Sequence, residues 1–125
     1  MRYLVDTHVI LWWLEDPEKI SKKARTIIAD RNNTICVSSV SFWELSIKSS
    51  LGRVNIPHNL LTLLRHNSFE IIPLAAEETL CVLDLPDIHK DPFDRMLVAQ
   101  AKYNGYVFIT RDETIVDYPI TIIEA

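Results

Sequence analysis

Short apolar runs alternate along the chain with longer segments whose apolar residues recur at helical spacing. The runs are rich in β-branched and aromatic residues and end at polar residues, as buried strands do. The predicted strands are Tyr3–Val5, Thr34–Val37, Phe69–Pro73, Tyr106–Ile109 and, at the edge, Ile120–Ile123. Because helices are predicted between them, the pattern indicates an α/β fold with a central parallel β-sheet of about five strands, flanked by helices on both faces.

The predicted helices begin at capping residues and end at residues that break helices. The segment Val9–Leu14 is apolar all round and includes Trp12 and Trp13. We therefore expect it to be buried on several sides or to lie in an oligomer interface. The full set is Val9–Leu14 with Thr7 as its cap, Lys22–Ala29 capped by Ser21, a helix from about Ser41 to Gly52, Leu60–Leu64 after Pro57, Ala75–Leu85 stopped by Pro86, and a helix from Pro92 to about Tyr103.

Composition predicts a single domain over residues 1–125, because a chain of 125 residues with 48% hydrophobic and 24% charged residues can bury a core of its own. No apolar run approaches the roughly 20 residues that a membrane-spanning helix needs. The N-terminus lacks the pattern of a signal peptide, so a cytoplasmic protein is expected. Cys36 and Cys81 stand alone in apolar surroundings, which favours buried thiols over a disulfide or a zinc site.

The net charge of −4 is unevenly distributed. Basic residues predominate between positions 19 and 53, and acidic residues predominate between positions 70 and 94. A basic lobe beside an acidic one is compatible with a polyanion held near a metal site. Solvated helix faces of different sign would give the same pattern, so charge alone leaves both interpretations open.

Four acids are predicted to meet at the sheet edge where the strands end. Asp6 ends the first strand, Glu44 lies in the first turn of the helix after the second, and Asp112 follows the fourth. Asp94 lies at the third position of a helix capped by Asp91. Open parallel sheets bind ligands beyond the carboxyl ends of their strands. Each acid could instead be a cap or a first-turn residue favoured by the helix dipole, but four at one edge favour a shared site.

Carboxylates that converge raise one another's pKa and therefore need a cation. Oxygen ligands without His or Cys suit Mg²⁺ or Mn²⁺, and such a site supports hydrolysis of a phosphodiester. Of the histidines, only His89 lies in the acidic loop. The neighbouring arginines could contact a phosphate or tie down a carboxylate, with the structural role favoured for Arg95, and nearby hydroxyls could orient the acids or simply cap helices. These supporting residues are Arg95, Arg111, Thr7, Ser39 and Thr110.

Four segments, in order along the whole chain, carry a recognisable pattern: Tyr3–His8, Val37–Leu45, His89–Ala101 and Phe108–Asp112. The most specific part is the D-P-F-D-R helix start, combined with the N-terminal Asp and the T-R-D ending. Together the segments resemble a PIN-domain ribonuclease, and in particular the VapC-type toxin of bacterial type II toxin–antitoxin pairs.

The resemblance implies a central parallel sheet flanked by helices. It also implies an endoribonuclease that uses Mg²⁺ or Mn²⁺ to cleave RNA. It assigns Asp6, Glu44 and Asp94 as the principal catalytic and metal-binding acids and Asp112 as the fourth, with Asp91 in the loop beside them. It also implies a homodimer and a cognate antitoxin protein that blocks the acidic site.

Two other classes of protein remain open. A phosphatase that forms an aspartyl phosphate would carry D-x-D after the first strand, where this chain has Asp6, Thr7 and His8. A receiver domain would need adjacent acids on the first strand and a lysine near the last. A non-catalytic α/β interaction module would use the acids only as caps, so that neutral substitutions at Asp6 and Asp94 would change stability modestly.

Overall fold

The computed structural model describes residues 1–125 and contains one sheet of five parallel strands in the order β3-β2-β1-β4-β5. The strands are β1 (Arg2–Val5), β2 (Thr34–Ser38), β3 (Glu70–Ile72), β4 (Val107–Thr110) and β5 (Ile122–Glu124). The predicted fold class is confirmed, and β5 lies at the edge as expected. The three inner strands are buried almost throughout, which explains why their sequences are continuously apolar and do not alternate.

Six helices and three short 3-10 turns connect the strands. The helices are α1 (Thr7–Glu15), α2 (Lys22–Ala29), α3 (Ser39–Ser50), α4 (Leu60–His66), α5 (Ala76–Leu80) and α6 (Pro92–Asn104), and the turns are Pro17–Lys19, Cys81–Asp84 and Glu113–Asp117. No helix combines the length and the apolar character that crossing a bilayer would require. Cys36 and Cys81 are free thiols, as predicted, although only Cys36 is fully buried.

Successive strand residues point into two separate cores, one on each face of the sheet. Val5 and Ile109 belong to the core covered by α1, α2 and α4, whereas Leu4 and Phe108 belong to the core covered by α6. The prediction of helices on both faces is therefore confirmed. The all-apolar sequence of α1 follows from this packing, because its first half is buried and Trp12 to Leu14 pack against the same core.

Helix α3 begins two residues earlier than predicted. The hydroxyl of Ser38 accepts a hydrogen bond from the Val40 N–H at 3.1 Å and caps the helix, so that Ser39 is its first residue. Glu44 consequently lies in the second turn, and its predicted place in the first turn is wrong. A role for Glu44 as an exposed acid near the positive end of the helix dipole is thereby removed.

The predicted helix Ala75–Leu85 is only half as long in the structure. Helix α5 ends at Leu80, and the chain then tightens into the 3-10 turn Cys81–Asp84 before Pro86. The Val82 carbonyl in this turn accepts hydrogen bonds from the Leu85 N–H at 3.2 Å and from Arg95 Nη2, also at 3.2 Å. This tertiary contact favours the tighter turn over continuation of the helix, and apolar spacing alone does not reveal it.

Candidate active site

Asp6 lies at the carboxyl end of β1, where its N–H extends the ladder to the Ile109 carbonyl at 2.9 Å. Its side chain is only 5% exposed. Oδ1 accepts from the Thr7 N–H at 2.7 Å, so Asp6 caps α1 and the predicted cap Thr7 is instead the first helical residue. Oδ2 accepts from Thr110 Oγ1 at 2.7 Å. Burial raises the pKa of Asp6, because these two hydrogen bonds only partly offset its desolvation.

Glu44 is buried behind Asp6, with 2% of its surface exposed. The Thr7 hydroxyl donates to Oε1 at 2.7 Å and also lies 2.9 Å from Ser41 Oγ. Lys48, one turn further along α3, donates to Oε2. The pKa of Lys48 is raised, because its hydrogen bond to the Glu44 carboxylate and the charge there outweigh the opposing effect of burial. Both oxygens of Glu44 are thus engaged and its charge is paired, in contrast to Asp6.

The carboxylate of Asp94 does not cap its helix, although Asp94 lies at the position where a capping-box acid is found. Helix α6 starts as predicted, with Pro92 first and the Asp91 carboxylate accepting from the N–H groups of Phe93 at 2.8 Å and Asp94 at 3.2 Å. In a capping box the Asp94 carboxylate would return to the Asp91 N–H. That N–H donates instead to His89 Nδ1 at 2.9 Å. Helix capping therefore does not account for the Asp94 carboxylate.

The pKa of Asp94 is raised to about 7, first by burial and then by the negative charges of Asp6, Asp91 and Glu44. His89 lowers it, but less strongly. Asp6, Asp94 and Asp112 also line one cavity of about 240 Å³. Three of the four predicted acids therefore share a cavity, and the fourth, Glu44, is close enough to act on Asp94 through its charge.

Asp112 directly follows β4 and combines two contacts. Oδ1 accepts from the Thr114 N–H at 3.0 Å and from its hydroxyl at 2.7 Å, so Asp112 caps the turn Glu113–Asp117. Oδ2 lies 2.8 Å from His89 Nε2, which is also 3.3 Å from Asp94 Oδ2. Burial opposes ionisation here, but the hydrogen bonds from Thr114 and His89 lower the pKa of Asp112. One oxygen caps the turn while the other faces the site.

His89 joins two of the acids, although its place in the acidic loop was its only signal in the sequence. The Asp91 N–H can only donate, so Nδ1 accepts and the ring proton is on Nε2. That N–H then donates to Asp112 Oδ2, while Nε2 also lies 3.3 Å from Asp94 Oδ2, and the three ligand atoms lie within 4.8 Å of one another. In this tautomer Nε2 has no lone pair for a metal, so His89 organises the carboxylates and does not add a ligand.

Among the predicted hydroxyls, Thr7 and Thr110 contact the acids and Ser39 does not. The Ser39 hydroxyl donates to the Ile72 carbonyl at 3.1 Å and ties α3 to β3. Ser41, which is fully buried beside Thr7, takes the place that was expected for Ser39.

The two arginines also differ in what they contact. Arg95 makes no ion pair with an acid and donates to the carbonyls of Val82 and Pro86 and to the Tyr118 hydroxyl, which fixes the loop before α6. This is the structural role that was favoured for it. Arg111 donates to the Ala125 carbonyl from Nε at 3.2 Å and from Nη2 at 2.8 Å, and it lines the cavity of the acids.

Thr110 links Asp6 to Asp112, because its hydroxyl donates to Asp6 Oδ2 and accepts from the Asp112 N–H at 3.1 Å. Thr110→Val keeps the shape of the side chain but leaves Asp6 Oδ2 and the Asp112 N–H without this hydrogen-bond partner. We expect it to lower the free energy of unfolding by about 1–3 kcal/mol. Thr110→Ser keeps the hydroxyl and serves as the control. Equal stability of the two variants in urea denaturation would show that this bridge is unimportant.

The sequence model for the PIN domain matches residues 3–120. The chain belongs to the PIN domain family. The family predicted from the four segments is thus confirmed, and the parallel sheet with its acids at the carboxyl edge is the arrangement that the resemblance implied.

Two kinds of relative resemble this PIN domain over nearly its whole length. Ribonuclease VapC22 of Mycobacterium tuberculosis (strain ATCC 25618 / H37Rv) is 24% identical over 126 residues, covering 95% of this chain and 96% of its own. VapBC2 from Rickettsia felis, solved bound to a DNA fragment from their promoter, aligns with a TM-score of 0.75 at 17% identity over 99% of this chain and 98% of the other. DNA-bound VapBC from Salmonella typhimurium gives 0.71 at 16% identity, covering 99% and 98%. At these identities the solved structures show a shared fold.

The donor set of the PIN domain fits a hard divalent cation. Asp6 and Asp94 present carboxylate oxygens to one cavity, their pKa values are raised by burial, and neither pairs with a lysine or an arginine. Ionised carboxylates in such a place lack a compensating charge, and a cation bound between them would provide it. Asp112 adds a third carboxylate to the same wall.

Proposed function

We propose that this PIN domain is an endoribonuclease that hydrolyses RNA phosphodiester bonds with Mg²⁺ or Mn²⁺, and that it is the toxin of a toxin–antitoxin pair. The observation that carries the proposal is a pair of carboxylates without a lysine or arginine partner, the buried Asp6 and the partly buried Asp94, which line one cavity with Asp112. The similarity to Ribonuclease VapC22 over almost the whole chain supports RNA as the substrate.

Asp6, Asp94 and Asp112 would hold the cation. When bound, Mg²⁺ or Mn²⁺ supplies an activated water and stabilises the charge on the leaving oxygen. The chain's own part is to fix the oxygens: Thr110 and the Thr7 N–H hold Asp6, and the first turn of α6 presents Asp94. Glu44, which is buried and paired with Lys48, would contribute only its negative charge, and it would become a direct ligand only if the contact with Lys48 broke.

A cognate antitoxin protein is proposed as the partner, because the solved structures with this fold include VapBC assemblies. A homodimer is proposed as well. Leu80, Leu83 and Val116 are large apolar residues that the single chain leaves exposed, and Leu83 is 82% exposed. A contact between two copies of the chain would cover these side chains.

The two alternatives from the sequence are less well supported by the site. An interaction module would use the acids as caps, but the Asp94 carboxylate caps nothing and has a raised pKa. An aspartyl-phosphate phosphatase would carry a second acid two positions after the first-strand aspartate, where this chain has His8 after Asp6.

The proposal predicts that purified protein cleaves RNA with Mg²⁺ or Mn²⁺ and not in EDTA. Asp6→Asn should lower the rate by at least roughly 100-fold, because it removes a charged ligand of the cation while the amide oxygen can still cap α1. Cleavage is measured on a labelled structured RNA, and circular dichroism checks that the fold is retained.

Asp87→Asn is the matched control, since Asp87 is an exposed acid in the loop before α6. It should cleave at the wild-type rate. Cleavage that persists in EDTA, or in Asp6→Asn, would refute the proposed function.

A further inference from the structure

Three flat side chains lie together at the rim of the acid cavity. His8 and Trp12, one turn apart on α1, stack with ring centroids 5.9 Å apart and planes inclined by 27°. The guanidinium carbon of Arg111 lies 4.5 Å from the centroid of the Trp12 ring. All three line the cavity that also contains Asp6 and Asp94.

Arg111 is held rigidly in this stack. Its Nε and Nη2 both donate to the Ala125 carbonyl, so the plane of the guanidinium is fixed before anything binds. An arginine has five N–H donors, and these contacts use only two of them. The remaining donors and the positive charge stay available at the rim of an otherwise acidic cavity, where they suit a phosphate group.

His8 also borders a second cavity, of about 450 Å³, which is lined by Lys48 and Arg53. Arg53 is exposed and makes no ion pair with an acid. The two cavities share His8, and the second brings the unpaired guanidinium of Arg53 to the far side of His8, whereas Lys48 is already paired with Glu44. A chain with net charge −4 needs such local cations if it is to hold a polyanion.

Trp13 shows what a purely structural tryptophan looks like in the same helix. It packs edge-on against Phe69, with ring centroids 6.4 Å apart and planes at 87°, and it does not line the acid cavity. Trp12 differs because its neighbours at the cavity wall are a stacked imidazole, His8, and a guanidinium, Arg111. Packing against the core explains why residue 12 is apolar, but it does not explain why His8 and Arg111 lie against the Trp12 ring.

We propose that His8, Trp12 and Arg111 form a stacking platform for an unpaired base of the RNA strand, whose backbone continues past His8 towards Arg53. This inference rests on the proposed function and adds the residues that position the substrate. Unpaired bases stack on aromatic and guanidinium planes, whereas a base inside a duplex has both faces covered. These three side chains therefore suit the base of an unpaired nucleotide next to the acids.

The test measures binding separately from cleavage. The Asp94→Asn variant, in Mg²⁺, is titrated against a short fluorescein-labelled single-stranded RNA, and binding is followed by fluorescence anisotropy. Adding Trp12→Ala should weaken binding roughly 5- to 100-fold, the range expected for the loss of one stacked base. Adding Trp13→Ala, the matched control, should leave the affinity within about twofold of the background, because Trp13 faces the core on the Phe69 side.

Three further measurements separate stacking from charge and from damage to the fold. An oligonucleotide with abasic nucleotides should bind the background and Trp12→Ala equally, and Trp12→Phe should restore part of the affinity. His8→Ala, at an exposed position that leaves the core intact, should also weaken binding. Arg53→Gln should lower the slope of log Kd against log salt by about 0.7, while Arg31→Gln, at the opposite end of the strands, should not change it.

The platform is overturned if Trp12→Ala and His8→Ala bind the RNA with the same affinity as the Asp94→Asn background. It is also overturned if Trp12→Ala weakens binding of the abasic strand as much as binding of the normal strand. Cleavage by the wild type in Mg²⁺ would then leave the endoribonuclease proposal standing. If the wild type neither binds nor cleaves RNA, both proposals fail together.

Discussion

Asp94→Asn is expected to abolish RNA cleavage and, without divalent metal, to make the protein more stable at pH 8. The pKa of Asp94 is raised from 3.8 to about 7 in the folded protein, so the unfolded chain ionises first as the pH rises. Stability is therefore lost between about pH 4 and pH 7 and stays reduced above that. Because the site is partly open to solvent, we expect the neutral amide to recover about 1–2 kcal/mol at pH 8.

The measurement is urea denaturation of wild type and Asp94→Asn in EDTA across this pH range. The two should differ little at about pH 3, where Asp94 is mostly protonated in both states, and should diverge as the pH rises. Asp87→Asn, at an exposed position, should follow the wild type throughout. A variant that is less stable than wild type at pH 8, or a difference that does not change with pH, would contradict the role given to Asp94.

Divalent cation should stabilise the wild type, and more strongly at pH 8 than at pH 5. Binding to the folded state alone adds about 2.7 kcal/mol at one hundred times the dissociation constant. Asp94 must lose its proton before it can serve as a ligand, so protons and cations compete below pH 7. Thermal unfolding in increasing Mg²⁺ or Mn²⁺, with Na⁺ at matched ionic strength as the control, measures the effect.

Asp94→Asn should lose most of this stabilisation, since it lacks the carboxylate that the cation pairs with. Asp6→Asn should lose it as well, because Asp6 lines the same cavity and its carboxylate also lacks a cationic partner. Equal stabilisation of the wild type and both variants would place the cation elsewhere and would remove the basis of the proposed mechanism.

The fold could be predicted from the sequence because each buried strand is a continuous apolar run between polar residues. The end of α5 was predicted wrongly because it depends on a contact between residues that are distant in the sequence. Arg95 draws the Val82 carbonyl towards it and shortens α5, and nothing near residue 82 in the sequence signals this contact. The predicted start of α3 was wrong for a local reason. Two adjacent serines could each cap the helix, and Ser38 is the one whose hydroxyl accepts the capping hydrogen bond.

The site was predictable at the level of which acids meet, but the neighbours of those acids depend on helix geometry. Each helical residue turns about 100° from the one before it. Ser39 and Ser41 therefore lie about 200° apart, and only Ser41 faces Thr7. In the same way Arg95, although adjacent to Asp94 in the sequence, points to the loop before α6. Adjacency in the sequence is thus a poor guide to which side chains support a carboxylate.

The imidazole of His89 has a further consequence. One ring nitrogen accepts a hydrogen bond from the Asp91 N–H, and the other donates to Asp112 Oδ2 and lies 3.3 Å from Asp94 Oδ2. Asp94 and Asp112 would hold a cation through the carboxylates that now face His89. Metal binding would therefore compete with this contact of His89, which in the metal-free protein already links the two carboxylates.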